Sequence, residues 1–229
     1  SSIQEAVDMM GISFELAFKY RHIVIVAGDG ALGQLMEPVE MPPFRELPSE
    51  RPEWAISGSH GRETRSISSL YLGAKCLEAH NLRLQEKLAL IRSNETRYEA
   101  KWADEADFLV VAFGMVGRIA QSAIAQARSK GLKVGLFRPV TLWPFPDAVL
   151  SGLVQKVRGV LVVEMNAGQM LEDVERVVQG RVPVHFLGRM GGTIPLPDEI
   201  FGAIEQMHIA TQGVIQHANG HIGYPAVVN

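Results

Sequence analysis

Apolar positions fall at Ile3, Val7, Met10, Phe14, Ala17 and Phe18, close to the spacing of one helix face, and Ser2 stands where an N-cap belongs. The pattern predicts an amphipathic helix over residues 3–20. A β-branched run, Ile23–Ala27, follows and stops at Gly28-Asp29-Gly30, as a strand buried on both faces would. Together they read as an α–β unit that lacks the rest of its sheet. From Glu37 to about Ser69 the periodicity is lost. Pro38, Pro42, Pro43, Pro48 and Pro52 crowd this stretch, and proline is excluded from helix interiors and central strands. An extended linker is expected, long enough to wrap over a neighbouring domain or a partner.

The helical pattern returns over about residues 73–104, with Leu77, Leu84, Leu88 and Ile91 on one face and Ser93-Asn94 as a possible break. A regular alternation comes next: strand 108–113, helix 116–130, strand 133–137, helix 146–157, strand 160–164, helix 169–178, strand 184–187 and helix 198–207. This βα repeat predicts an α/β fold, a mainly parallel sheet with helices on both faces. Residues 208–229 show no clear period and carry Gly213, Gly220, Gly223 and Pro225, which predicts a loop or extended arm.

Composition narrows the classes. The chain has 229 residues, 47% hydrophobic and 21% charged, enough apolar material for a sizeable core. A net charge of −3 without a basic stripe argues against a nucleic-acid binder. The single Cys76 can form no internal disulfide and cannot supply the thiolates of an iron–sulfur cluster, which suggests a reducing, cytoplasmic setting. No apolar run approaches the ~20 residues of a membrane span. The opening Ser1-Ser2-Ile3 resembles a cut through a longer protein.

Several motifs invite a chemical reading. Gly28-Asp29-Gly30 resembles the start of a Mg–thiamine diphosphate motif, but the Asn that would complete the metal sphere is missing: the next one, Asn81, lies in a predicted helix. A turn needing glycine backbone freedom is the better reading. Gly114-Met115-Val116-Gly117-Arg118 joins a strand to a helix where amides can hold an anion. It lacks the full GxGxxG spacing and an acidic ribose partner, and is read as close helix–strand packing. Gly188-Arg189-Met190-Gly191-Gly192 follows the last strand; Arg189, Gly191 and Gly192 could contact a phosphate or carboxylate, or form a turn whose Arg pairs with an acidic neighbour or a partner subunit. Glu164 and Asn166 end the preceding strand, where capping or an interface is favoured over catalysis. His217 and His221 have i, i+4 spacing but no acidic or Cys neighbour, so a metal site is not assigned.

Six strings, AGDGALGQLMEPVEMP (27–42), WAISGSHGRETRSISSLYL (54–72), EAHNLRLQEK (78–87), FRPVTLWPFP (137–146), VVEMNAGQMLEDV (162–174) and VPVHFLGRMGG (182–192), occur in one order. Together they resemble the alpha-type subunit of 2-oxoacid:ferredoxin oxidoreductases, in the branch handling 3-methyl-2-oxobutanoate (ketoisovalerate) or 2-oxoglutarate. The resemblance implies the C-terminal remnant of a pyrimidine-type thiamine-diphosphate domain at 1–42, a Pro-rich linker at 43–72, a transketolase C-terminal-like domain at 73–207 and a tail at 208–229.

It also implies the oxidative decarboxylation of a 2-oxoacid to acyl-coenzyme A with ferredoxin reduction. Thiamine diphosphate, Mg and iron–sulfur clusters would serve the whole complex, none of them bound by this chain alone. Partners would be a beta-type thiamine-diphosphate subunit, gamma-type and ferredoxin-like iron–sulfur subunits, ferredoxin, and a second copy as a homodimer. No catalytic residue is carried over, because the family's activating Glu has no counterpart here, and the isolated chain is expected to be inactive. A free-standing nucleotide- or coenzyme A-binding module is the competing reading, with Gly114–Arg118 or Gly188–Gly192 as its loops. A purely structural dimerisation domain is a third.

Overall fold

The computed structural model describes residues 1–44, 46 and 49–213. His217 and His221, and the tail expected beyond residue 213, lie outside the described residues. The chain divides into two units, one of residues 1–39 and 91–213 and one of residues 40–90.

The first unit holds a five-stranded sheet. Its strands are β1 (Tyr98–Lys101), β2 (Phe108–Val111), β3 (Val134–Pro139), β4 (Gly159–Glu164) and β5 (Val184–Gly188), in the spatial order β1-β3-β2-β4-β5. β2, β3, β4 and β5 pair in parallel; β1 runs antiparallel to β3 at the edge. The helices are α1 (Ile3–Tyr20), α2 (Ala74–Asn94), α3 (Gly114–Ser129), α4 (Asp147–Val154), α5 (Gln169–Val178) and α6 (Pro197–Gly213).

Every residue of β2, β3 and β4 is buried, which explains why these strands read as apolar runs interrupted only by Arg138 and Glu164. Alternate residues feed two cores. Val110, Leu136, Leu161 and Val163 meet α3 and α6 on one face. Leu109, Phe137, Val160 and Val162 meet α4 and α5 on the other. The expected α/β architecture is therefore present, with most element boundaries within a residue or two of the pattern.

Three readings change. The long helix ends at Asn94 and does not resume: Glu95 turns inward, and Tyr98–Lys101 forms β1. Glu99 faces Arg138 across the ladder and pairs with its guanidinium, so a cross-strand partner outweighs the helix propensity of Glu, Ala and Lys. The last helix continues through His208–Gly213, residues expected to begin a loop.

Ile23–Ala27 forms no strand. Among the described residues no strand pairs with it, and Ile23 and Ile25 stay 82% and 84% exposed. Beside them, Met10, Phe14 and Phe18 also face outward, and Met10, Ser13, Phe14, Ala17, Val24 and Val26 line an open groove of about 310 Å³. α1 itself matches the prediction: Ser2 accepts the Glu5 amide at 3.1 Å, and Arg21 closes the helix in the left-handed region at φ 43°.

Residues 40–90 form the second unit, most of whose regular structure is α2. Among its described residues no helix or strand precedes Ala74. Gly58 and Gly61 adopt φ of 88° and 77° around a turn closed by the Arg62 amide on the Ser59 carbonyl. Arg65 donates to the Ala55 carbonyl, and Tyr71 stacks on His80. Phe44, Ile56, Ile67, Leu70 and Leu72 are exposed along this arm.

Candidate functional site

In a parallel sheet the carboxyl ends of the strands gather loops and helix N-termini on one edge, and a crevice opens where the strand order reverses. Here the reversal lies between β2 and β4. The loops around it are those that sequence singles out: Gly114–Arg118 after β2, Glu164–Gln169 after β4, and Gly188–Gly192 after β5.

After β4 the backbone turns at once into α5, leaving four amides that need acceptors. Side chains from the same loop supply all of them. Asn166 Oδ1 accepts from the Gly168 and Gln169 amides at 2.7 and 3.0 Å. Glu164, only 1% exposed, accepts the Met170 amide on Oε2 and the Leu171 amide on Oε1, each at 2.9 Å. Asn166 Nδ2 also donates to Glu164 Oε2 at 2.9 Å. The pair forms a two-residue cap, which leaves the Glu164 carboxylate committed to α5 and poorly placed to act as a base.

The Gly188–Gly192 loop packs against that cap. The Arg189 amide donates to the Glu164 carbonyl at 3.0 Å. A Cβ on Gly188 would lie 2.6 Å from the Phe186 ring and 2.8 Å from the Asn166 carbonyl, so only glycine fits between the two loops. Arg189 pairs through Nη2 with Glu199 of α6, whose other oxygen accepts the Leu196 amide at 2.9 Å. The Arg189 Nε is buried without a hydrogen-bond partner. Gly191 and Gly192 take φ of 69° and 90° with open space around them. The arginine thus meets an acidic neighbour, one of the two readings its sequence leaves open.

After β2, α3 begins at Gly114 with φ 56°. Its N-terminus receives a carboxylate, but from the chain itself: Asp29 Oδ2 accepts the Met115 amide at 3.1 Å while Oδ1 accepts the Leu32 amide at 2.7 Å. Neither Gly28 nor Gly30 takes a positive φ, and a Cβ would fit at both. The turn therefore does not need glycine backbone freedom, contrary to the sequence reading; Asp29 is the residue on which it depends. Gly117 is a packing glycine as expected, since a Cβ there would lie 2.8 Å from Arg138 Cδ and 3.2 Å from the Ala112 carbonyl.

These contacts decide what the edge can hold. A diphosphate–metal site needs a free carboxylate beside open amides, whereas Asp29 is engaged with two amides and α5 is capped. Among the described residues no three His, Cys, Asp or Glu side chains gather as metal ligands. The residues described here do not fit the binding of thiamine diphosphate and Mg. No helix among them is long and apolar enough to cross a membrane.

Residues 106–200 match the pyruvate:ferredoxin oxidoreductase core domain II family, which places the β2–β5 sheet and the start of α6 inside a recognised domain. The ketoisovalerate oxidoreductase subunit VorB of Methanothermobacter thermautotrophicus is 41% identical over 196 residues, covering 85% of this chain and 55% of the relative. The 2-oxoglutarate synthase subunit KorA of Methanothermobacter marburgensis is 32% identical over 235 residues, covering 90% of this chain and 62% of the relative.

This chain is a homologue of 2-oxoacid oxidoreductase subunits. It spans little more than half the length of these relatives. Among solved structures, the 2-oxoglutarate:ferredoxin oxidoreductase from Magnetococcus marinus, with 2-oxoglutarate, coenzyme A and succinyl-CoA bound, is 20% identical. The match covers 60% of this chain and 24% of that one, with a TM-score of 0.47.

At two of the loops that the sequence singles out, side chains of this chain meet the helix N-terminus. The sequence offers Asp29 as a metal ligand, and the structure makes it the partner of α3. No motif marks Glu5, Glu95 or Arg138, although all three carry buried or half-buried ion pairs. A lone arginine inside the apolar strand sequence Val134–Pro139 was the available signal, since a buried guanidinium implies carboxylates nearby.

Proposed function

We propose that this chain serves in a 2-oxoacid:ferredoxin oxidoreductase, which converts a 2-oxoacid, coenzyme A and oxidised ferredoxin to acyl-coenzyme A, carbon dioxide and reduced ferredoxin. The relation to VorB and KorA carries this reading. The greater identity to VorB, 41% against 32% for KorA, favours 3-methyl-2-oxobutanoate as the substrate. Within the complex the α/β domain acts as a brace. One observation supports that role: the amides that would welcome a ligand at α3 and α5 are taken by Asp29, Glu164 and Asn166. The same observation speaks against a free-standing nucleotide or coenzyme A module.

On this proposal thiamine diphosphate and Mg are held by a beta-type subunit, and iron–sulfur chains carry electrons to ferredoxin, consistent with the lone Cys76. Residues 1–42 belong to a pyrimidine-type domain. The apolar groove of α1 and the exposed Ile23–Val26 are covered by a neighbouring domain of the complex. The Pro-rich arm, with Phe44, Ile56, Ile67, Leu70 and Leu72 exposed, lies on a partner subunit.

The test is Arg189→Ala in the subunit, co-expressed with its partners. Lost assembly with normal turnover in whatever complex forms supports a brace. Normal assembly with abolished turnover places Arg189 in the reaction and overturns it.

A further inference from the structure

Residues 1–39 remain on the α/β domain although Met10, Phe14, Phe18, Ile23 and Ile25 face outward and Ile3, Val7, Met9, Ile12 and Leu16 are only half-buried. Within α1 and the Leu32–Gln34 turn, Tyr20 alone is buried. Burial of apolar surface is therefore only partial along this segment, and specific polar contacts add to what holds it in place.

The contacts converge on the N-terminal end of α3 and on Arg138 of β3, whose stem packs against Gly117. Glu5 of α1 receives the Arg138 guanidinium in fork geometry, Nη1 to Oε2 at 3.1 Å and Nη2 to Oε1 at 2.7 Å. Arg138 is 3% exposed, and its stem reaches Glu5 past Gly117, where any larger residue would obstruct it. Burial pushes the Glu5 carboxyl up, but the Arg138 hydrogen bonds and charge prevail and help hold it at about 2. Asp29 sits on the Met115 amide. Glu37 accepts the Ile3 amide on one oxygen at 3.0 Å and pairs with Arg118 through the other, tying the start of α1 and the end of the segment to α3. A second anchor lies at the far end of α1, where the buried Glu95 accepts from Lys19 at 2.8 Å and from Tyr20 Oη at 2.6 Å.

We infer that the N-terminal end of α3, with Arg138 of β3 beside it, is a severable joint: three carboxylates of the N-terminal segment, Glu5, Asp29 and Glu37, key into Arg138, the Met115 amide and Arg118. The helix N-terminus that α/β proteins commonly offer to a ligand is used here as an internal coupling between two parts of the chain. Cutting the joint releases the segment while the sheet stays folded.

The experiment is native-state hydrogen exchange, resolved by peptide, on the whole chain and on Asp29→Ala. Loss of one charge-assisted hydrogen bond is expected to speed exchange by about tenfold or more in α1 and at Leu32–Gln34. β2 and β4 should be unchanged. Unchanged protection in α1, or equal loss throughout β2 and β4, overturns the joint. Free acetate should slow exchange again in Asp29→Ala, and chloride at equal ionic strength should not; rescue by both salts or by neither overturns the assignment of a carboxylate seat. Should Asp29→Ala not fold, Glu37→Gln at the exposed Arg118 pair gives the same reading. Faster exchange confined to α1 supports the joint, and no change refutes it.

Discussion

Glu164→Ala separates a cap from a catalytic group. In the native chain Glu164 accepts the Met170 and Leu171 amides and the Asn166 side chain, all at 2.9 Å. Met170 is buried, so its amide cannot turn to water once the carboxylate is gone. A buried donor left unsatisfied costs about 1–3 kcal/mol, and the lost charge-assisted bond to Leu171 adds about 1 more, giving a destabilisation near 3 kcal/mol. For a chain of this size that corresponds to a fall in Tm of about 6–12 °C. Glu164→Gln keeps one acceptor oxygen but turns an NH₂ toward an amide donor, so about half the loss is expected. Urea unfolding followed by circular dichroism reads both variants. A change within about 0.5 kcal/mol for Glu164→Ala, the range of an ordinary surface substitution, would refute the capping argument. Stability gained on removing the carboxylate would point instead to a group strained for function.

Other consequences follow from neighbouring contacts. Gly188→Ala drives a methyl into the Phe186 ring and the Asn166 carbonyl and is expected to cost about 2–3 kcal/mol, measured by the same unfolding curve. Arg138→Met removes the cation shared by Glu5 and Glu99; both carboxylates are partly exposed, so the expected loss of about 2 kcal/mol is smaller than for a fully buried pair. The pH dependence has two parts. Glu5 has its pKa lowered from 4.5 to about 2, so the stability it contributes is present above pH 4.5 and is lost as pH falls toward 2; Arg138→Met should flatten that limb. His185 has its pKa lowered from 6.5 by burial, and its Nδ1 has no partner, so its contribution is present above 6.5 and is lost as acid protonates the unfolded chain first. His185→Leu should remove that slope from a plot of unfolding free energy against pH.

Much of the α/β domain was legible because its physics is local and repetitive. Fully apolar runs such as Phe108–Val111 and Val160–Val163 can be satisfied only by a sheet covered on both faces, and the amphipathic period of Gln169–Val178 fixed a helix to the residue. Where the reading failed, a distant partner decided the outcome. Tyr98–Lys101 carries helix formers, yet Arg138, some forty positions away, draws Glu99 into a strand. Ile23–Ala27 has every local mark of a central strand and forms none, because a strand exists only with a neighbour to pair with.

The site divides in the same way. The Glu164–Asn166 cap could be anticipated from a strand end followed closely by a helix start. The pairing of Asp29 with α3 could not, since 86 residues separate Asp29 from Met115 and no spacing rule links them.

Calorimetric titration of this chain with thiamine diphosphate and Mg, first alone and then with the thiamine-binding partner subunit, tests the bracing role most directly. No saturable heat is expected from the chain alone, and saturable binding is expected in the mixture. Tight binding by the chain alone would contradict it, because Asp29 would then have to leave the Met115 amide to coordinate the metal.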